Sequence, residues 1–402
     1  MTPQNETKHL NSALKNAIGL GFISIFSYLA SYYIRQLLAV ATPEMLETGE
    51  YTETFLGLLA SVYFWVYAMG QFVNGQIGDK INPKYMVSIG LTVTATAITL
   101  FPLVPFRWMQ VACFVLMGIG LSMLRGPIMK MVSENIQKGY ARIICAILSA
   151  VSFVGPIVAS ALAIFFNWSM MFIVAGLSTY AIAAIAFISL SIFERKKMFV
   201  FHRNQKAGFG GYLQLFKLEH FFFFMLVGGI VEISASAISF WIPTYLSDAL
   251  HFDSVTRNVL FSAMTTVVCL APFFSLFAFK LLGGRDILQI RLAFLLATLS
   301  FVGMLLIPNS YAKIVCLAAS RFFTACASTV LWSIYIPGMG KTGRVSSING
   351  VINCTGYLSA AIANMVFSML VGLSWTTIIL IWCGIAGFGL LASLIVKQKK
   401  PA

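Results

Sequence analysis

The chain is 402 residues long, with 59% hydrophobic, 14% aromatic and only 10% charged residues, and a formal net charge of +14. Soluble domains carry about 25% charged and about 45–50% apolar residues, so this chain has too little charge to coat a water-facing surface. That balance excludes a soluble enzyme, a disordered chain and a secreted disulfide scaffold, and makes a lipid bilayer the expected solvent.

A helix satisfies its own backbone hydrogen bonds in lipid and needs about 17–25 apolar residues to cross. In chain order this rule predicts spans at 18–40, 54–77, 85–105, 108–131, 141–166 and 168–193. A hydrophilic stretch follows at 194–218, and six more spans come at 219–246, 255–279, 287–307, 311–337, 344–371 and 374–396. The first span follows a polar stretch of seventeen residues and shows no small-residue cleavage site, so it is expected to stay as a helix. It carries Arg35 with Tyr28 and Tyr32 at i−7 and i−3 on one helical face. The second holds Tyr67 and Gln71, and the fourth places Arg125 just before Gly126-Pro127. Pro156 in the fifth removes a backbone donor and predicts a kink. Glu232 lies in the seventh and Arg321 in the tenth.

The fold class is therefore an all-α membrane protein with twelve transmembrane helices. Its expected organisation is an N-terminal six-helix bundle over 1–193, a central cytoplasmic loop over 194–218 and a C-terminal six-helix bundle over 219–402. Landmarks repeat between the halves. Gly139 and Arg142 precede the fifth span, and Gly343 and Arg344 precede the eleventh; Asn167-Trp168-Ser169 opens the sixth, and Ser374-Trp375-Thr376 opens the twelfth. Such spacing suggests a duplicated six-helix unit.

Of the 27 Lys and Arg, 21 fall in segments sharing a face with the N-terminus, including Arg203 and Lys206 in the central loop and Lys399 and Lys400 at the end. Only Arg107, Arg257 and Lys313 fall on the other face, where the first loop carries Glu44, Glu47, Glu50 and Glu53. The positive-inside rule then predicts a multi-pass protein of the plasma (inner) membrane with both termini cytoplasmic. The net charge reads as orientation and contact with membrane lipid, so no nucleic-acid partner is expected. Three basic residues remain inside spans, Arg35, Arg125 and Arg321, with one carboxylate, Glu232. Charges held there line a cavity or find a partner.

Between the second and third spans the chain reads Gly75-Gln76-Ile77-Gly78-Asp79-Lys80-Ile81-Asn82-Pro83-Lys84. This resembles the Gly-x-x-x-Asp-Arg/Lys signature of the major facilitator superfamily. The resemblance implies two pseudo-symmetric six-helix bundles, a substrate site near the membrane midplane between the halves, and conformational, gating roles for Asp79 and Lys80, joined by the basic Arg125 and Arg142. The ordinary alternative is a solvated charged turn.

A closer resemblance lies in Tyr32-Tyr33-Ile34-Arg35 with Ala41-Thr42-Pro43, in Asp79-Lys80 with Asn82-Pro83-Lys84, and in Trp241-Ile242-Pro243-Thr244-Tyr245-Leu246. These are similar to motifs of the organophosphate:phosphate antiporter family, which includes glycerol-phosphate and hexose-phosphate transporters. The resemblance implies substrate binding by Arg35, Tyr28, Tyr32 and Tyr67. Guanidinium and phenols suit an anion, because Arg forks onto a phosphate or carboxylate and Tyr hydroxyls donate to the remaining oxygens. The chain also departs from the family: Gln71 replaces a basic residue, Val151 a histidine, and Ala235 the second signature arginine, with Glu232 one turn earlier. These changes favour a monoanionic, zwitterionic or larger ligand over a phosphate dianion held by two arginines. Gln71 joins the expected substrate contacts. Arg321 either supplies the missing second arginine or pairs with Glu232, and Glu232 either carries a proton or forms a static ion pair.

Seven cysteines and four histidines lie scattered without CxxC or Cys/His spacing, so neither a metal site nor a cofactor is expected. No HExxH, Ser/His pair or paired carboxylate stands in the spans, which argues against an enzyme. Gly340-Lys341-Thr342 is no phosphate loop, since Tyr335 stands where its first glycine belongs. The sequence thus predicts a secondary active transporter of a small organic anion, organophosphate or carboxylate-like, working by alternating access as a functional monomer. It is expected to act as an antiporter or proton-coupled symporter, with phosphate or a proton as coupling ion. The competing reading is an efflux carrier for a drug or lipid-like amphiphile, for which 35 Phe and 18 Met would line a greasy cavity.

Overall fold

The computed structural model describes residues 3–202, 211–370 and 374–398. Arg203 and Lys206 of the expected central loop, and Lys399 and Lys400, lie outside the described residues. Among the described residues every regular element is helical. In order the long ones are α1 (Pro3–Glu47), α2 (Glu53–Lys80), α3 (Pro83–Leu100), α4 (Arg107–Asn135), α5 (Lys138–Phe165) and α6 (Trp168–Arg195). Then come α7 (Phe221–Asp248), α8 (Val259–Leu281), α9 (Asp286–Leu306), α10 (Ser310–Gly338), α11 (Val345–Leu370) and α12 (Trp375–Ile395).

Among the described residues ten of these are long and apolar enough to cross a membrane, and the bent α5 makes an eleventh. The twelfth, α3, is shorter than the expected span at 85–105. Its 18 residues rise about 27 Å, against about 30 Å of hydrocarbon. The chain turns at Phe101, Pro102 and Leu103, where the proline has no N–H with which to continue the helix.

Local chemistry explains the starts and breaks. Asn82 caps α3 by accepting from the Lys84 N–H at 3.0 Å, with Pro83 in the first turn. Asn167 caps α6 and Ser374 caps α12 in the same way, so the repeated landmark is a helix start in both halves. Pro156 deprives the Ser152 carbonyl of its partner, and α5 bends by 40° between Ser152 and Val154. α4 turns at Met123 and Leu124, four and three residues before Pro127. Inside α7 and α10 the backbone widens into π-turns at Ile233–Ile238 and Val330–Tyr335, each of which shifts the register of the side chains that follow.

The helices form two compact units. The first is Met1–Tyr212 with Ile336–Val351, and the second is Leu213–Tyr335 with Ile352–Ala402. Within the first unit α1 packs on α5, α2 and α3 on α4, and α3 on α6. Within the second, α8 and α9 pack on α10, and α9 on α12, the same pairing displaced by six helices. The α1–α5 crossing depends on Gly155, where a Cβ would stand 2.5 Å from Tyr32 Cβ. Trp382 centres the core of the second unit, its ring 6.2 Å from Phe301 and 6.3 Å from Phe367.

Candidate functional site

In the first unit the Arg35 guanidinium carbon lies 4.1 Å from the Tyr67 ring centroid, 5.1 Å from Tyr32 and 5.9 Å from Tyr63. Tyr63 and Tyr67 stand one turn apart on α2, with ring centroids 5.8 Å apart. The Tyr32 hydroxyl meets that of Tyr28, one turn earlier on α1, at 3.4 Å, and their rings pack edge to face. Arg125 approaches Tyr28, its guanidinium carbon 5.8 Å from the ring centroid. Helices α1, α2 and α4 thereby gather two arginines and four phenols. Aromatic faces attract the guanidinium electrostatically, by about 2 kcal/mol where water is excluded. The Tyr28, Tyr63 and Tyr67 side chains are buried, as is Gln71 one turn beyond Tyr67.

Asp79 is fully buried and accepts from the backbone N–H groups of Ser346 and Ser347 at 3.1 and 3.0 Å, and from Ser347 Oγ at 2.5 Å. These amides belong to the second and third residues of α11, so the carboxylate caps that helix at its positive end. Its cation is Lys130 of α4, whose Nζ lies 3.4 Å from Asp79 Oδ1 and 3.4 Å from Glu134, and donates to the Gly343 carbonyl at 3.1 Å. Lys80, the basic residue of the motif, is exposed, and Arg142 lies half-buried in the first turn of α5.

In the second unit Glu232 ends the regular part of α7, immediately before its π-turn. Its side chain lies against Gly356 of α11, where an added Cβ would come 3.2 Å from Glu232 Cβ. Arg321 of α10 donates to the Ser234 carbonyl and, at 2.5 Å, to Ser234 Oγ inside that π-turn. Arg321 is also within electrostatic reach of Glu232. Of the expected substrate contacts, Arg35, Tyr28, Tyr32 and Tyr67 come together in the first unit, with Gln71 one turn from Tyr67 on α2, whereas Arg321 lies in the second unit near Glu232, the expected proton-coupling or ion-pair residue. Arg125, expected at the gate, stands with the first cluster.

Two participants went unrecognised in the sequence. Tyr63 carried a usable signal, since Tyr63, Tyr67 and Gln71 recur at i, i+4 and i+8 on one face of α2. Lys130 is one of the 21 basic residues that read as orientation charge; its i, i+4 spacing to Glu134 is the one hint of pairing.

The sequence model described as Major Facilitator Superfamily matches residues 24–364. A membrane sensor protein, UhpC, of Salmonella typhimurium is 25% identical over 259 residues, 58% of this chain and 58% of that protein. A glycerol-3-phosphate transporter of Bacillus subtilis is 35% identical over 86 residues, 21% of this chain and 19% of that protein. The chain thus matches little over half the length of the first relative and a fifth of the second. Among solved structures, the FucP transporter superposes with a TM-score of 0.75 at 12% identity, covering 96% of this chain and 100% of that one, which establishes the shared fold.

Proposed function

Because the chain belongs to the Major Facilitator Superfamily, we propose that it is a secondary active transporter moving a small organic anion, organophosphate or carboxylate-like, across the membrane by alternating access. The observation that carries this reading is Arg35 lying among the rings of Tyr32, Tyr63 and Tyr67, with Arg125 beside Tyr28, all on apolar helices. A guanidinium forks onto the oxygens of a phosphate or carboxylate, and nearby phenols donate to those that remain. Arg125 supports a second cationic contact drawn from α4, where the family motif would have drawn it from α7.

Two couplings fit the second cluster. Counter-exchange for phosphate needs no titrating group, whereas proton symport would use Glu232 against Arg321. Both termini cytoplasmic, as the basic residues favour, and a functional monomer complete the proposal. A second reading follows from the sensor relative: a receptor that binds the anion and changes shape without net transport.

Purified protein in proteoliposomes, loaded with a panel of phosphorylated and carboxylated metabolites, tests these readings. Saturable counterflow of one member is the expected result. Anion binding without counterflow would replace transport with sensing. Counterflow of amphiphiles in place of anions would overturn the proposed substrate class in favour of an efflux carrier.

A further inference from the structure

A crevice of about 570 Å³ opens between the first turn of α3 and the last turns of α6. It is lined by Lys84 from α3 and by Phe187, Ile188, Ser191, Glu194 and Arg195 from α6. One end is polar and held in place: Lys84 Nζ lies 2.5 Å from Glu194 Oε2, and Asn82 Nδ2 donates to Glu194 Oε1 at 2.8 Å. The Lys84 ammonium also sits 4.8 Å from the Tyr85 ring centroid, and Tyr85 packs on Phe187 with centroids 6.0 Å apart. The other end is apolar and open, with Phe187, Ile188 and the neighbouring Ile192 all exposed.

Both helices end here, so the crevice stands where hydrocarbon gives way to lipid headgroups. Two cations face one carboxylate, and the exposed Lys196 and Lys197 follow directly in sequence. Glu194 engages Lys84 from one side, while an ammonium has three donors to distribute. A free phosphate would match only the cationic end, and an apolar compound only the open wall. A phospholipid joins both polarities in one molecule. We propose that this crevice binds one anionic phospholipid, with its phosphate between Lys84 and Arg195 and an acyl chain along Phe187, Ile188 and Ile192. The lipid would bridge α3 and α6 where the first begins and the second ends.

Native mass spectrometry of the full chain in detergent, titrated with phosphatidylglycerol or phosphatidylcholine, counts bound lipid directly. Phosphatidylglycerol is expected to bind at least about fivefold more tightly, since each basic group near the surface contributes on that order. Arg195→Gln should lower its affinity about fivefold. Ser191→Trp, which fills the crevice from a half-buried position one turn before the end of α6, should remove the tightest binding event while thermal unfolding stays unchanged. Phosphatidylglycerol occupancy unchanged in both variants would mean nonspecific annular lipid and overturn the site. Displacement of the lipid by millimolar inorganic phosphate would show an ion site and overturn the lipid assignment.

Discussion

Replacing Lys130 by methionine isolates the energetics of the buried charge cluster. Lys130 and Asp79 expose 1% and 0% of their side chains, so neither charge is offset by water. Removing one partner of a buried pair costs about 3–5 kcal/mol, because the other charge is left uncompensated. Asp79 keeps its hydrogen bonds from Ser346 and Ser347, each about 1.5–3 kcal/mol for a charged acceptor, which holds the loss near 3 kcal/mol. Asp79→Asn leaves Lys130 with Glu134 and the Gly343 carbonyl and should cost about 2–3 kcal/mol. The double variant removes both charges, so its cost should fall short of the sum by about 1–3 kcal/mol. Denaturant titration in mixed micelles, following thiol labelling of the buried Cys113 and Cys145 in the same unit, measures all three. Additivity within about 0.5 kcal/mol would refute direct coupling.

Arg35→Ala should abolish anion counterflow while leaving the fold intact by the same thiol assay; undiminished uptake would remove Arg35 from the site. Tyr67→Leu deletes the nearest aromatic face and should weaken anion binding by roughly tenfold, whereas Tyr67→Phe keeps the face and should stay within about twofold. Equal losses in the two would assign the effect to the hydroxyl. Glu232→Gln should flatten the pH dependence of uptake if the carboxylate carries the coupling proton, and an unaltered pH profile would leave counter-exchange as the coupling.

Much of this architecture was legible because its causes are local. Length and hydropathy located the helices, and Pro156 and the capping residues Asn167 and Ser374 act within a turn of themselves. The α3 span came out too long because Pro102 ends the helix inside an apolar stretch that hydropathy alone reads as continuous. In the candidate site, Tyr28, Tyr32 and Arg35 share a helix face, so their association follows from the 3.6-residue period. The approach of Arg125 to Tyr28 was not legible, because nothing in its own sequence neighbourhood points to that ring.

By itself, then, the sequence determined the membrane class, the helical segments, and which charges stand inside them. Tertiary structure alone decided which charges meet. Asp79 pairs with Lys130, 51 residues away, and caps a helix 267 residues away, while its sequence neighbour Lys80 faces outward. Tyr63 and Tyr67 close on Arg35 from another helix. The physical reason is that periodicity and hydropathy act along one segment, whereas an ion pair or an aromatic stack depends on how segments distant in sequence cross, and glycines such as Gly155 set how closely they do so.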